Sequence, residues 1–325
     1  MLINSIVIIG ICILYIFFLS RSNKKYFKYL LIMPAVILLF SVTIFPTIYS
    51  FRASLYDVTA ITLYRPWEFV GLTNYKNLLS DPLTWKALIL TGEYIFFAVL
   101  IEFVLGILFA LLFDKVRGIF LSLFLLPMMV TPIVAGLIWK YFFNVDNGFI
   151  NIIVRQLGGK NIPWLTYELL PIFKFLPNSL TKITELLNLN YAFFTVLVVD
   201  IWQWTSMMTL LLYAGIRSIP TEPYEAALVD GASKTEIFRY ITFPLLKPTI
   251  AVALLIRLID SYKVYDPIWA LLGEGFKTVN IYLSVFLFRI HDYGQGSALS
   301  IIVLILVSCI VPLLFKVLTS REGVH

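Results

Sequence analysis

The sequence has few of the residues that metal, redox and disulfide chemistry require. Its 325 residues include two cysteines, Cys12 and Cys309, and two histidines, His291 and His325. Both cysteines lie within long apolar runs, so they provide no disulfide framework. With two thiols inside apolar runs and one of the two histidines at the last position, this stock does not point to a zinc or haem centre. The sequence therefore predicts neither a metal site nor a cofactor bound by this chain.

Charged residues are also scarce, at 14% of the chain, while apolar residues make up 60%. A soluble domain is about a quarter charged and about half apolar. Several apolar runs reach about 18 residues, enough to cross a bilayer about 30 Å thick. The composition excludes an ordinary soluble domain and predicts an all-α, polytopic membrane protein. The net charge of +6 then indicates basic cytoplasmic loops rather than nucleic-acid binding.

Seven membrane spans are predicted, near residues 2–19, 29–51, 89–113, 119–142, 192–214, 248–270 and 298–318. Basic residues follow the first run instead of preceding it, which favours a retained helix over a signal peptide, although cleavage stays open. The chain then divides into an extra N-terminal helix with a basic turn (1–28), a transmembrane domain (29–318) and a tail (319–325). Between spans, residues 148–157 form a short amphipathic helix closed by Gly158, and residues 169–176 are apolar but too short to span.

The distribution of Lys and Arg sets the predicted orientation. With the N-terminus outside and the C-terminus in the cytoplasm, the inner segments 21–28, 114–118, 217–247 and 316–325 hold 12 basic residues in 54 positions. The outer loops 52–86, 143–191 and 271–297 hold 10 in 111 positions. Because cytoplasmic loops are enriched in Lys and Arg, this orientation agrees with the positive-inside rule.

One polar stretch stands out between the fifth and sixth spans. Residues 225–248 read EAALVDGASKTEIFRYITFPLLKP, too charged to cross a bilayer. Thr221 is a candidate N-cap for a helix that stops at Gly231, and a second helix follows over about 233–241, ending before Pro244. Its small residues, such as Ala227, permit another surface to approach closely. This helix–glycine–helix unit (221–243) predicts a docking surface rather than a plain loop.

This stretch resembles the EAA motif of the membrane subunits of ABC importers, in particular the carbohydrate-uptake permeases related to the maltose transporter. Glu225-Ala226-Ala227, Asp230-Gly231-Ala232, Ile237, Ile241 and Pro244 keep that motif's spacing. Residues 69–75 (FVGLTNY) resemble an outer-loop sequence of sugar permeases, and residues 258–266 (LIDSYKVYD) resemble their "TIDAFKVFD" stretch. The resemblance covers about residues 29–318 and implies a six-span permease core. The turn at 272–276, LGEGF, departs from the family's Gly-Gly-Gly-Pro.

The resemblance implies a transporter assembled from several subunits. This permease would pair with a homologous or identical permease, bind two cytoplasmic ATPases and receive a sugar from an extracytoplasmic binding protein. The chain lacks a GxxxxGK[ST] phosphate loop, so ATP and Mg²⁺ belong to the partner ATPases and the chain itself is not an enzyme. The residues implied to couple to the ATPase are Glu225, Ala226, Ala227, Asp230, Gly231, Ala232 and Pro244.

Charged residues within spans are candidate substrate contacts because burial makes them costly. Arg257, Asp260, Lys263 and Asp266 lie three apart on the sixth predicted span, and either pack as a self-neutralising ladder or bind substrate. Glu93 and Glu102 lie on opposed faces of the third, and neither is assigned. The predicted lining comprises Asp200, Trp202, Trp204, Asp260, Lys263 and Met128. For Asp200, Trp202 and Asp260 the resemblance adds positions similar to sugar-contacting ones in the family.

Two other classes of function stay open at this point. An ion-coupled secondary transporter would use the charges at Asp260 and Lys263, and a membrane-embedded enzyme would use Asp200 and Asp260 as an acid/base pair. Neither needs a docking unit between two spans, which favours the ATP-driven importer. The sequence does not name the sugar or polyol.

Overall fold

The computed structural model describes residues 24–113, 118–171 and 187–319, and the predicted first span lies outside these ranges. Helices dominate the described chain. In chain order they are α1 Lys24–Leu39, α2 Phe45–Ser54, α3 Thr73–Ser80, α4 Pro82–Phe113, α5 Gly118–Phe124, α6 Leu126–Met129, α7 Pro132–Phe142, α8 Phe149–Gln156, α9 Tyr191–Arg217, α10 Glu222–Val229, α11 Lys234–Ile237, α12 Phe243–Tyr262, α13 Asp266–Leu272, α14 Val279–Ser284 and α15 Tyr293–Thr319. Two strands of two residues each, β1 (Tyr56–Asp57) and β2 (Glu68–Phe69), pair antiparallel.

Within the described ranges, five helical segments are long and apolar enough to cross a membrane. They are Phe27–Ser54, Pro82–Phe113, Tyr191–Arg217, Lys234–Tyr262 and Tyr293–Lys316. A sixth candidate is the pair Asp266–Gly275 and Val279–Ile290, which is bent by 69° at its break. The all-helical membrane fold predicted from composition is confirmed. The apolar helix beginning at Val279 was not predicted and lies in what the sequence suggested was an outer loop.

The fourth predicted span is not one helix. It is divided into α5, α6 and α7, with an extended backbone at Val130 and Thr131. The residue before a proline is pushed towards extended conformations, and Thr131 precedes Pro132. Gln203 of α9 compensates in part, since its side-chain amide nitrogen, Nε2, donates to the Val130 carbonyl at 2.6 Å.

The sixth predicted span has different ends from those expected. The helix begins at Lys234 and runs through a π-helical turn, Phe238–Thr242, into α12, which ends at Tyr262. Pro244 therefore does not stop it, because a proline in the first turn after the wider π-turn displaces few backbone hydrogen bonds. Residues 263–265 leave the helix, and α13 then starts with Pro267 in its first turn.

The core forms where α4 and α9 pack along each other. Gly106 of α4 faces Met208 of α9 so closely that an added Cβ would lie 2.5 Å from the Met208 side chain. A larger residue at position 106 would therefore force the helices apart. Aromatic rings of both helices fill another part of this core, with Phe97 edge-on to Phe193.

The amphipathic helix predicted over 148–157 is confirmed as α8. Gly148 is its N-cap, and Gly158 follows it with a φ of +81°, which glycine adopts without strain. Asn151 is the buried anchor of α8: its amide donates to the Val145 and Ile162 carbonyls and accepts from the Trp164 indole. The predicted apolar segment 169–176 lies largely outside the described residues.

Candidate functional site

A cluster of charged side chains lies buried among three of the long helices. Arg257 of α12 binds Glu102 of α4 through two hydrogen bonds, Nε to Oε2 at 2.5 Å and Nη2 to Oε1 at 2.9 Å. The same Nη2 also donates to Asp200 of α9. Nη1 lies 3.4 Å from Asp260, one turn further along α12. One guanidinium thus joins the helices α4, α9 and α12.

The cluster is buried where Glu102, Arg257 and Asp200 meet and exposed to solvent at Asp260. Glu102, Arg257 and Asp200 are 0%, 1% and 3% exposed, whereas the Asp260 side chain is 40% exposed. Ions buried to this degree need paired, hydrogen-bonded partners, because their desolvation costs several kcal/mol each. The bidentate contact with Glu102 meets that need for the guanidinium.

Two polar atoms in this region are not satisfied by the fold. The second carboxylate oxygen of Asp200, Oδ1, and the Tyr94 hydroxyl are buried without a hydrogen-bond partner among the described residues. Buried polar groups usually have partners, and these two groups are neighbours, so a small movement of the Tyr94 hydroxyl would let it donate to the Asp200 carboxylate.

The cleft beside the cluster is small, with a volume of about 90 Å³. Its floor is the buried charge cluster, and its wall is the short segment that links α12 to α13. It is lined by Pro132, Asp200, Trp204, Arg257, Asp260, Lys263, Val264, Tyr265, Asp266 and Pro267. The broken fourth span contributes to it through Pro132, and Arg257 covers the Trp204 ring at 5.3 Å from its centroid.

The structure brings together four of the six residues predicted to line a substrate path: Asp200, Trp204, Asp260 and Lys263. Trp202 instead packs in the core, edge-on to Trp139 at 5.7 Å. Met128 lies on α6 and is 37% exposed, outside the residues that line the cleft. Trp202 and Trp204 face different surroundings because an α-helix turns by 100° per residue, so side chains two residues apart on α9 point roughly 200° apart.

The predicted charge ladder is interrupted. Asp266 is in the first turn of α13 and not on the same helix as Arg257 and Asp260, while Lys263 caps the end of α12. Sequence reasoning also left Glu102 unassigned and omitted Arg257 from the lining. The sequence does contain a signal for this contact. Two acidic residues and one basic residue lie deep within three separate apolar runs, and their burial costs free energy unless they pair with one another.

A second site occupies the polar loop between α9 and the Lys234–Tyr262 helix. The helix α10 ends at Asp230, and Gly231 has a φ of +78°, which confirms the predicted glycine stop. Ser233 then opens α11 with a capping box, in which Glu236 bonds back to the Ser233 backbone. The sequence Ser-Lys-Thr-Glu shows this pattern, although it was not predicted.

Thr221 does not cap α10 as predicted. Its backbone is helical, with φ −79° and ψ −24°, and its side chain makes no capping hydrogen bond. An N-cap side chain reaches the first turn from an extended backbone, the conformation that Ser233 has. The Tyr224 hydroxyl lies 3.2 Å from that of Thr242, which ties α10 to the helix that follows.

The outer surface of α10 is exposed and partly apolar. Glu225, Ala226 and Asp230 are exposed, as are Leu228 at 64% and Val229 at 88%. Of the remaining residues of the predicted coupling set, Ala227 and Ala232 are half-buried, Gly231 is exposed at the turn, and Pro244 is in the first turn of α12. The loop thus presents acidic and apolar side chains together on a short, capped helix.

Comparisons with known proteins give one consistent result. The family described as "Binding-protein-dependent transport system inner membrane component" matches residues 102–322. The trehalose/maltose transport system permease protein MalF of Thermococcus litoralis is 38% identical over 286 residues, which cover 86% of this chain and 89% of that protein. The trehalose transport system permease protein SugA of Mycobacterium tuberculosis is 29% identical, covering 87% and 86%. A crystal structure of a bacterial ABC transporter that imports the acidic polysaccharide alginate has the same fold, with a TM-score of 0.72 over 92% of this chain and 97% of that one, at 19% identity.

Proposed function

Because this chain belongs to the family of binding-protein-dependent transport system inner membrane components, as a multi-pass permease subunit of a sugar ABC importer, we propose that it moves its substrate by alternating access driven through the loop between α9 and α11. Family membership disfavours an ion-coupled transporter and a membrane enzyme. How the permease is driven, and which residues its substrate meets, are the finer questions.

The observation that carries the coupling proposal is the surface of α10. Leu228 and Val229 are exposed beside Glu225, on a helix held by a glycine stop and the Tyr224–Thr242 contact. Exposed apolar side chains rimmed by charge are typical of protein contacts. The positive-inside count favours a cytoplasmic position for this helix, where the partner that hydrolyses ATP with Mg²⁺ would bind.

The proposed partners follow from the same reading. Two cytoplasmic ATPase subunits would each receive one permease loop, a second permease would complete the path, and an extracytoplasmic binding protein would deliver the sugar. One fold neighbour is described as an alginate ABC transporter in complex with an alginate pentasaccharide-bound periplasmic protein, which supports the last of these. In this arrangement the N-terminus is outside and the C-terminus is cytoplasmic.

The cleft at Asp200 and Asp260 is proposed as this chain's part of the sugar path. Carboxylate oxygens accept hydrogen bonds from sugar hydroxyls, and the Trp204 indole offers an apolar edge beside them. Lys263, exposed at the mouth, would contribute a donor.

The coupling proposal is tested by Glu225→Lys and Val229→Asp, with Glu68→Lys in β2 as a matched control on an exposed carboxylate predicted to lie outside. The two α10 variants should insert normally, and co-purify at least tenfold less ATPase from membranes in which all subunits are expressed together. The control should co-purify the wild-type amount. Normal ATPase recovery with both α10 variants would refute the assignment of the coupling surface.

A further inference from the structure

We infer that the cleft beside Arg257 selects uncharged sugars and disfavours anionic ones, such as uronates and sugar phosphates. This inference rests on the proposed function, in which that cleft lies on the sugar path. It concerns a choice that family membership leaves open. A cationic side chain in a transport cleft would ordinarily suggest an anionic substrate, so the argument depends on what Arg257 already binds.

The guanidinium of Arg257 is fully engaged by carboxylates of its own chain. Nε and Nη2 bind Glu102, Nη2 also binds Asp200, and Nη1 faces Asp260 at 3.4 Å. Recognition of a carboxylate or phosphate by arginine uses two parallel N–H groups. Each such pair of N–H groups on Arg257 already binds or points at an acidic side chain of this protein. The face of the guanidinium lies over the Trp204 ring. A substrate anion would have to displace a buried ion pair.

The charge balance of the cleft points the same way. Asp200, Asp260 and Asp266 line it with Arg257 and Lys263, and Glu102 lies directly behind. Four carboxylates therefore face two cations among the described residues of the cleft. The site has a net charge of −2 with all groups ionised, and of −1 if one buried carboxyl is protonated. An added negative charge is repelled in either state.

The acceptors left open suit hydroxyl groups. The accessible acceptor is the Asp260 carboxylate, which is 40% exposed, whereas Asp200 Oδ1 has no partner among the described residues but is itself buried behind it. Both accept hydrogen bonds and donate none when ionised. A neutral sugar presents several O–H donors to such a pair, whereas a sugar carboxylate or phosphate presents acceptors to acceptors.

The fold itself does not decide this preference. The alginate importer has the same fold, and its cargo is described as an acidic polysaccharide. Selection by charge must therefore depend on the side chains that line the path in each protein. In this chain the acidic lining residues are Asp200, Asp260 and Asp266, and the cation beside them, Arg257, is already bound by acidic side chains of the same chain.

The inference is tested with two probes that differ in charge and little in shape: trehalose, and its analogue in which one C6 hydroxymethyl group is a carboxylate. Binding of each to the purified transporter complex is measured by saturation-transfer NMR, which detects weak ligands, in the wild type, in Asp260→Asn and in Asp146→Asn. Asp146 is an exposed carboxylate of the loop before α8, so it controls for a change of net charge far from the cleft.

One unit charge at 6–8 Å from a net charge of −1 changes affinity by about tenfold or more at the effective dielectric of a partly open site. We expect wild type to bind trehalose at least tenfold more tightly than the carboxylate. Asp260→Asn should reduce that ratio at least threefold, and Asp146→Asn should not. Equal binding of the two probes to wild type, or an unchanged ratio in Asp260→Asn, would overturn the charge selection alone. Absence of binding by both would overturn the proposed sugar site and the inference with it.

Discussion

Replacement of Arg257 by leucine is the sharpest test of the buried charge cluster. Arg257→Leu keeps an apolar side chain of moderate size on α12 but removes the only cation that contacts Glu102 in the described structure. Glu102 and Asp200 are then left in a site where they are 0% and 3% exposed. Two buried carboxylates without their cation must repel each other or take up protons.

The magnitude follows from comparing this pair with an exposed one. Removal of one partner from a buried ion pair costs about 3–5 kcal/mol, because the remaining charge is not solvated. Arg289 and Glu274 form an ion pair whose side chains are 71% and 37% exposed, and such pairs contribute about 0–1 kcal/mol. Arg289→Leu is therefore a matched control that removes the same kind of residue from the same kind of contact.

The measurement is the apparent Tm of the detergent-solubilised chain, followed by tryptophan fluorescence. Arg257→Leu should lower it by about 5–15 °C, and Arg289→Leu by less than about 3 °C. A third variant separates lost packing from lost pairing: Arg257→Leu combined with Glu102→Leu and Asp200→Leu. Because a whole buried ion cluster is often replaced by apolar residues at little cost, this triple variant should recover most of the loss.

The reasoning fails if the triple variant is as unstable as Arg257→Leu, because the loss would then come from packing and not from orphaned carboxylates. It also fails if Arg257→Leu and Arg289→Leu have the same Tm. In that case the cluster would hold too little charge in the folded protein for its desolvation to matter.

Two further predictions concern the polar segments between the long helices. Asn151→Ala should destabilise the protein by about 2–4 kcal/mol, because the buried amide donates to two backbone carbonyls and accepts from the Trp164 indole. Asn147 is exposed, so Asn147→Ala should change the Tm little. Equal losses of Tm in the two variants would contradict the anchoring role of Asn151. Burial raises the pKa of Asp81, but hydrogen bonds from Tyr282, Leu83 N–H and Thr84 outweigh it and leave the pKa below its usual value. The carboxylate therefore stabilises the fold above about pH 4 and loses that contribution as pH falls through the folded pKa. The Tm of Asp81→Asn should accordingly lie below that of wild type at pH 7 and converge with it below about pH 4. A difference in Tm that does not change with pH would refute this linkage.

Much of the fold was predictable because a bilayer constrains sequence strongly. A span must be long and apolar, so the helices that begin at Pro82 and Tyr191 are visible without a structure. The helix α8 was predictable for the same kind of reason, since an apolar face repeats before Gly158. The fourth span was not, because apolar content alone does not show that the backbone at Val130 and Thr131 leaves the helix.

The candidate cleft was predictable only in its parts. Asp200 and Asp260 were chosen because ionisable groups in a span are costly, and both line the cleft. Glu102, which binds the same guanidinium, was not chosen, because its contact with Arg257 joins residues 155 positions apart. Periodicity reports neighbours on one helix, three or four residues apart. It carries no information on which face of α4 meets which face of α12.

The helix boundary missed at Pro244 changes how the two sites relate. Sequence reasoning ended one cytoplasmic helix before Pro244 and started a new span at Pro248, which would separate the docking loop from the cleft by a flexible break. In the structure a single helical segment, Lys234–Tyr262, begins beside Gly231 and carries both Arg257 and Asp260. At 1.5 Å per residue, Lys234 and Arg257 are about 35 Å apart along it.

A continuous helix transmits displacement over that distance with little loss, whereas a loop would absorb it. In the proposed mechanism, movement of the α10 docking surface by the ATPase would therefore act directly on the guanidinium that joins α4, α9 and α12. Within this segment the backbone departs from regular α-helical hydrogen bonding at the π-helical turn, Phe238–Thr242, and Pro248 lies inside α12. In this proposal one helical segment, Lys234–Tyr262, links the docking surface of α10 to the charged cleft, and its π-helical turn lies at the end beside the docking surface.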